Sequence, residues 1–294
     1  MMNFWNALSP LFKAIFCVLL SALSFAAMAV FLRLSGELPV AEKAIFRNGI
    51  TALISGYIVW KNRQLFFGHK ENWLLLLCRS VTGLIGILVG VYIIDHLVLS
   101  DVDMIGKLTS FILIILSAIF LKEKASIAQW LLCVVAFIGA LFIIKPAFDI
   151  QFIPYLIGII GSVFAAIAYL CLRLLSKTEK LESPNTIVFF FSAFSTLILL
   201  PFVAIDYVPL TSMQLVYLIL AGITSAVGQF CVTTAYKYAA AKDISIYSYA
   251  SVIFSAVLGA LLFEQYPDVW SWLGYAIIFI ASWFMFVLTK KQAK

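Results

Sequence analysis

Long apolar runs alternate along the chain with short polar interruptions. A helix rises about 1.5 Å per residue, so about 20 apolar residues cross the roughly 30 Å of hydrocarbon in a bilayer. Span ends placed at charges, Pro and Gly give ten such runs, at 11–34, 38–60, 72–94, 99–121, 126–145, 153–176, 185–206, 212–236, 242–263 and 268–290. No connection exceeds a dozen residues, which leaves no room for a soluble domain between spans. The first run carries one lysine near its start, Lys13, and reaches Arg33 without a small-residue cleavage site, so it reads as a retained span and not a signal peptide.

Lys and Arg distribute unevenly over alternate connections. One side has Lys13, then Lys61, Arg63 and Lys70, Lys122 and Lys124, Arg173, Lys177 and Lys180, Lys237 and Lys242, and finally Lys290, Lys291 and Lys294; the other has only Arg33, Lys43 and Lys145. Cytoplasmic connections carry the basic excess, so both termini are expected in the cytoplasm, as an even number of spans requires. Composition agrees: the 294 residues are 64% hydrophobic and 12% charged, too few ionisable groups to clothe a water-soluble surface. The net charge of +6 reflects this topology, since no basic helix or patch stands apart to bind nucleic acid. Five cysteines lie scattered inside apolar runs, without a CxxC pair or a Cys/His cluster, which argues against a disulfide framework or a zinc site.

The two halves echo each other. Phe25-Ala26-Ala27-Met28-Ala29, followed by Arg33, recurs as Phe164-Ala165-Ala166-Ile167-Ala168, followed by Arg173. Leu121-Lys122-Glu123 with Trp130-Leu131 recurs as Leu262-Phe263-Glu264 with Trp272-Leu273, at offsets of 139 to 142 residues. Five spans per half is an odd number, so the second half enters the membrane from the opposite side. The expected fold is an all-α integral membrane protein of ten transmembrane helices in two inverted five-helix repeats, 11–145 and 153–290. Many secondary transporters are built this way, with the site near the midplane between repeats.

The Phe46-Arg47 step early in span 2, Glu123 and Glu264 after spans 4 and 9, and the Trp that follows each resemble the drug/metabolite transporter superfamily, EamA type. The resemblance covers essentially the whole chain, but its motifs are short. It implies transport of small organic compounds, a range that includes amino acids and their derivatives, nucleobases, vitamins and quaternary amines, inward in some members and outward in others. Members often carry a proline within spans 4 and 9; Lys107-Leu108-Thr109-Ser110 and Tyr249-Ala250-Ser251 have none.

Ionisable groups in hydrocarbon cost about 2.5–3.5 kcal/mol on insertion scales, so each needs a partner or a task. In span 2, Lys43, Arg47, Thr51 and Ser55 recur every four residues on one face, with Glu42 beside them. Arg47 reads either as an anchor for a carboxylate, which its planar fork suits, or as a structural cation paired to a neighbouring helix. In span 4, Asp103 and Lys107 stand one turn apart, acid first, as an i,i+4 pair that is either a gate or permanently closed. Asp95 and His96, with Asp101, gather at the outer side. Ser225, Gln229, Thr233 and Tyr236 form a polar stripe in span 8, and Asp243, Tyr247 and Ser251 another in span 9. Tyr169, Tyr236, Tyr247 and Tyr249 offer ring faces to a ligand. Arg79, Gly83, Gly86 and Gly90 share a face of span 3; this reads as a small-residue packing strip, with Arg79 snorkelling to the interface.

There is no Walker loop, and the two histidines stand outside any HExxH or H-x-E pattern; neither an enzyme nor a cofactor is indicated. The expectation is a multi-pass secondary transporter of the cytoplasmic (inner) membrane that moves a small polar metabolite, an amino acid or a derivative of one, by alternating access. Its cavity would lie between spans 2, 3, 4, 7, 8 and 9. Expected contacts are Arg47, Lys107, Gln229, Thr233, Tyr236, Tyr247, Ser251 and Tyr169, with Asp103, Glu42 and Glu264 in gating or coupling. Its partners would be the substrate, membrane lipid, and a coupling proton or counter-substrate. The rival expectation is a non-transporting scaffold or a lipid-modifying enzyme, in which the buried polar groups pair off completely.

Overall fold

The computed structural model describes residues 9–120, 126–144, 152–175, 178–238 and 245–292. Among these residues there are ten α-helices and no strand. They are α1 (Pro10–Leu34), α2 (Val40–Lys61), α3 (Trp73–His96), α4 (Leu99–Phe120), α5 (Ile127–Ile144), α6 (Ile153–Leu175), α7 (Pro184–Ile205), α8 (Ser212–Tyr238), α9 (Ala250–Phe263) and α10 (Val269–Gln292). Local chemistry sets several ends. The Ser9 hydroxyl accepts from Phe12 N at 3.3 Å ahead of Pro10, and Pro184 opens α7, each proline occupying a first-turn position where a missing N–H costs nothing. α9 stops at Glu264, whose left-handed φ of 54° is a conformation helices commonly use to terminate. A 3₁₀ turn, Ser245–Tyr249, replaces the helical start expected from 242.

Seven of the described helices are long and apolar enough to cross a membrane. α2 falls outside that set because it carries Glu42, Lys43, Arg47 and Lys61, and the apolar parts of α5 and α9 are short. The outward faces carry Leu53, Leu74, Ile127, Leu261 and Val269, each at least 75% exposed, whereas Ser21, Ser55, Ser80, Ser162, Ser195 and Ser255 are buried between helices. Apolar outside and small or polar inside is the arrangement that lipid favours, since helices in a bilayer associate through close packing and hydrogen bonds rather than by escaping water. The protein is a multi-pass membrane protein.

Most helix packing joins the two halves of the chain. α1 packs on α8 and α3 on α6; α4 packs on α6 and α1 on α9; α2 meets both α7 and α8, and α3 meets α7; α5 lies against α10 and α4 against α9. Exchange of each helix for the one five places along leaves this set unchanged. The α2–α7 contact shows the same exchange at residue level. Gly49 faces Thr196 and Gly56 faces Phe189; Phe189 lies 140 residues after Gly49, and Thr196 140 after Gly56. The numbers rise in opposite directions along the contact, so the two helices cross antiparallel.

Candidate functional site

The middle of the bundle holds a cavity of about 220 Å³ lined by Met28 and Leu32 of α1, Arg47 of α2, Arg79 to Ile94 of α3, Ala165 to Tyr169 of α6, Phe191 of α7 and Gln229 of α8. A water-sized recess adjoins it, bounded by Arg47, Asn48, Thr51, Arg79, Ser192, Ser225 and Gln229. The glycines of α3 open this space. A Cβ on Gly90 would meet nothing within 4 Å, and one on Gly86 would only touch the α6 backbone, so the strip read as packing also forms one wall of the cavity.

Two guanidinium groups stand in an otherwise largely apolar lining. Nε of Arg47 donates to Sδ of Met28 at 3.2 Å, and a thioether is a weak acceptor. Arg79 does not snorkel. Its guanidinium lies 4.1 Å from the centre of the Phe191 ring and passes so close to Gly83 that a Cβ there would sit 2.3 Å from Nη1. The side chain therefore runs toward the middle of α3, away from its N-terminal end, because the missing Cβ of Gly83 leaves it a channel and Phe191 a π face to rest on. Nε of Arg79 is buried without an acceptor. Among the described residues neither arginine has a carboxylate partner. Asn48 Nδ2 and Ser192 Oγ beside them are also buried and unsatisfied.

Of the residues expected at the site, Arg47, Gln229 and Tyr169 converge on the cavity. Lys107 and Ser251 do not. Nζ of Lys107 donates to Ser248 O at 3.0 Å and to Ser251 Oγ at 2.8 Å, with the Tyr249 ring 5.5 Å away. Asp103 accepts from Ser255 Oγ at 2.9 Å. The expected Asp103–Lys107 ion pair is thus absent, because α9 supplies closer partners to both. Among the described residues α4 and α9 contribute nothing to the cavity wall, which is built by α1, α2, α3, α6, α7 and α8 rather than by spans 2, 3, 4, 7, 8 and 9. Tyr247 is 39% exposed away from the cavity. The side chains of Thr233 and Tyr236 lie outside the described residues, as do Glu123 and Asp243. Glu264 is exposed at the end of α9. Glu42 is buried with both carboxylate oxygens unsatisfied, away from the cavity lining.

Both ends of the bundle are tied. At one end, Lys43 Nζ reaches both oxygens of Asp95 at 2.7 Å, Arg33 donates to Leu97 O at 2.7 Å, and Gln214 to Ser35 O at 3.1 Å. Asp101 accepts from the hydroxyls of Tyr155 and Tyr275. At the other end, Glu182 Oε1 gathers His69 N at 2.7 Å, His69 Nδ1 at 3.0 Å and Asn72 Nδ2 at 2.7 Å, joining the α2–α3 and α6–α7 connections.

An all-helical bundle with an apolar exterior and a cationic, unsatisfied central cavity defines a polytopic membrane protein with room for a small solute. The chain belongs to the EamA-like transporter family, which matches residues 12–145 and again 152–287; it is accordingly a small-molecule transporter of the drug/metabolite transporter superfamily and not an enzyme. It is 30% identical to the pseudopaline exporter of Pseudomonas aeruginosa over 92% of this chain and 94% of that one. It is 27% identical to the S-adenosylmethionine uptake transporter of Rickettsia conorii over 61% and 60% of the two chains. A protein of known crystal structure shares the fold with a TM-score of 0.68 at 13% identity, over 96% of this chain and 99% of that one.

Proposed function

We propose that the protein is a secondary transporter of the cytoplasmic membrane that moves a small, carboxylate-bearing organic metabolite, an amino acid or a derivative of one, by alternating access. The observation that carries this reading is Arg47, a cation in the bilayer interior whose one acceptor among the described residues is the Met28 thioether and which lines the cavity. A cation so placed costs several kcal/mol unless an anion joins it. The cavity falls below the roughly 300–1,000 Å³ of pockets that hold drug-sized ligands, in keeping with a small metabolite. The exchangeable helix packing and the antiparallel α2–α7 contact support ten spans in two inverted repeats, approximately 11–145 and 153–290, and the basic excess supports cytoplasmic termini. Such repeats move by rocking one against the other around a central site, which would break one tied end at a time. Full-length similarity to an exporter favours outward movement, driven by a proton or a counter-substrate.

The test is uptake of radiolabelled amino acids and hydroxy acids into proteoliposomes. Arg47→Gln is expected to lower uptake by about ten- to hundredfold, the worth of a charged hydrogen-bonded contact, with the melting temperature unchanged. Uptake at the wild-type rate would remove Arg47 from the site.

A further inference from the structure

Arg79 places a second cation in the same cavity, and the geometry of the pair reaches beyond a single carboxylate. The two guanidiniums stand on different walls: Arg47 on α2 with Met28 of α1 beside it, Arg79 on α3 against Phe191 of α7. Both line the main cavity and its recess, and both lack an acidic partner among the described residues. The neighbouring unsatisfied atoms add to the donor excess: Arg79 Nε and Asn48 Nδ2 can only donate, and Ser192 Oγ can do either. Whatever fills this space must bring acceptors. A ligand with one negative charge would leave one guanidinium without a counter-charge; a ligand with two would neutralise both. Each guanidinium also offers a planar fork suited to bidentate binding of carboxylate or phosphate.

We propose that the transported solute is an organic dianion, held by Arg47 and Arg79 together, with Arg79 a specificity-determining residue that selects two negative charges over one. The assignment rests on the transporter reading above and deepens it. Phe191 and Gly83 act as positioning residues, the ring supporting the guanidinium and the glycine leaving it a path. Both a dicarboxylate and a phosphate monoester satisfy this chemistry.

The test uses matched probes on the full-length protein in detergent: succinate against its monoamide, glutamate against glutamine, and glycerol 3-phosphate against glycerol. Ligands that bind the folded state raise its melting temperature, and titration of that shift gives an apparent Kd. At least one dianion is expected to bind about tenfold or more tightly than its partner, and the pair that responds tells dicarboxylate from phosphate. Arg79→Gln should erase the preference, weakening the dianion by about ten- to hundredfold while leaving the lower-charge partner within about threefold. Gly83→Ala, which keeps the charge but crowds Nη1, should erode the preference too, so the test does not depend on one variant folding. A lower-charge partner that binds as tightly as its dianion, or a preference intact in both variants, overturns the two-charge assignment and leaves the transporter reading standing. If no probe of either charge shifts melting and none enters proteoliposomes, both readings fall.

Discussion

Lys43 is fully buried, and its Nζ sits 2.7 Å from each oxygen of Asp95, whose own side chain is 26% exposed. Loss of one partner from a buried pair leaves an uncompensated charge, at about 3–5 kcal/mol, whereas apolar replacement of both is often close to neutral. The burial is unequal here, so the two losses should be unequal. Asp95→Leu strands a fully buried ammonium that has no other acceptor among the described residues, and the full penalty of about 3–5 kcal/mol is expected. Lys43→Met keeps the length of the side chain and leaves Asp95 partly open and within reach of the Arg33 charge, so about 1 kcal/mol is expected, the range of partly exposed pairs. The double variant should lie near Lys43→Met. The assay is reversible unfolding in mixed micelles, with the double-mutant cycle giving the coupling directly. Equal losses for the two single variants, or a double variant as unstable as Asp95→Leu, would refute the account of the pair as an unequally buried ion contact.

Gly90→Leu should abolish transport without lowering the melting temperature, because a Cβ there meets nothing within 4 Å and the rest of the side chain would extend into the cavity; normal transport by a stable variant would show that the solute does not pass this wall. Glu182→Ala removes the acceptor shared by His69 N, His69 Nδ1 and Asn72 Nδ2, and should raise several-fold the rate at which an impermeant maleimide labels Ala168→Cys, in a background with the five native cysteines replaced, from the side of the α2–α3 connection; an unchanged rate would mean that this tie does not control access.

The helices were legible because lipid imposes a simple rule: a backbone that crosses hydrocarbon must satisfy its own hydrogen bonds and present apolar side chains. The expected spans fall on the observed helices within a few residues, and the main difference is at 245–249, where a 3₁₀ turn precedes α9. Arg47 stood out because an arginine in an apolar run is expensive. Arg79 carries an equal signal but lies close enough to the start of α3 for its length to reach the interface, so its position alone does not place it in the cavity. Glycine at i+4 was the available clue: an arginine followed one turn later by a residue without a Cβ has space to turn inward, and Gly83 provides it. The partners of Lys107 could not be read at all. Spacing along one helix offers Asp103, but the acceptors that Lys107 finds, Ser248 O and Ser251 Oγ, lie more than 140 residues away across a helix contact.

That distance has its own significance. Ser248 lies 141 residues after Lys107, within the 139 to 142 residues that separate the repeated landmarks of the two halves; on the inverted-repeat reading, the bond would join a residue to the region equivalent to itself, as near a two-fold axis. A charge near such an axis meets its own counterpart, and here the counterpart is a carbonyl and a hydroxyl rather than another lysine. The cavity is handled the same way. Shifted by the repeat interval, Arg47 falls within 186–189 and Arg79 within 218–221, stretches that hold only Thr186, Ile187, Val188 and Phe189, and Leu218, Ile219, Leu220 and Ala221. Four guanidiniums in about 220 Å³ would repel one another by several kcal/mol per close pair at the dielectric typical of such sites. On the inverted-repeat reading proposed above, the scaffold would be near-symmetric, which suits rocking between two ends, while the proposed recognition chemistry would be one-sided. The first half supplies both cations, and the second supplies the Phe191 ring, Tyr169 and Gln229 that surround them. On that proposed division, exchange of solute class would require changes at only a few positions of α2 and α3, with the helix packing left alone.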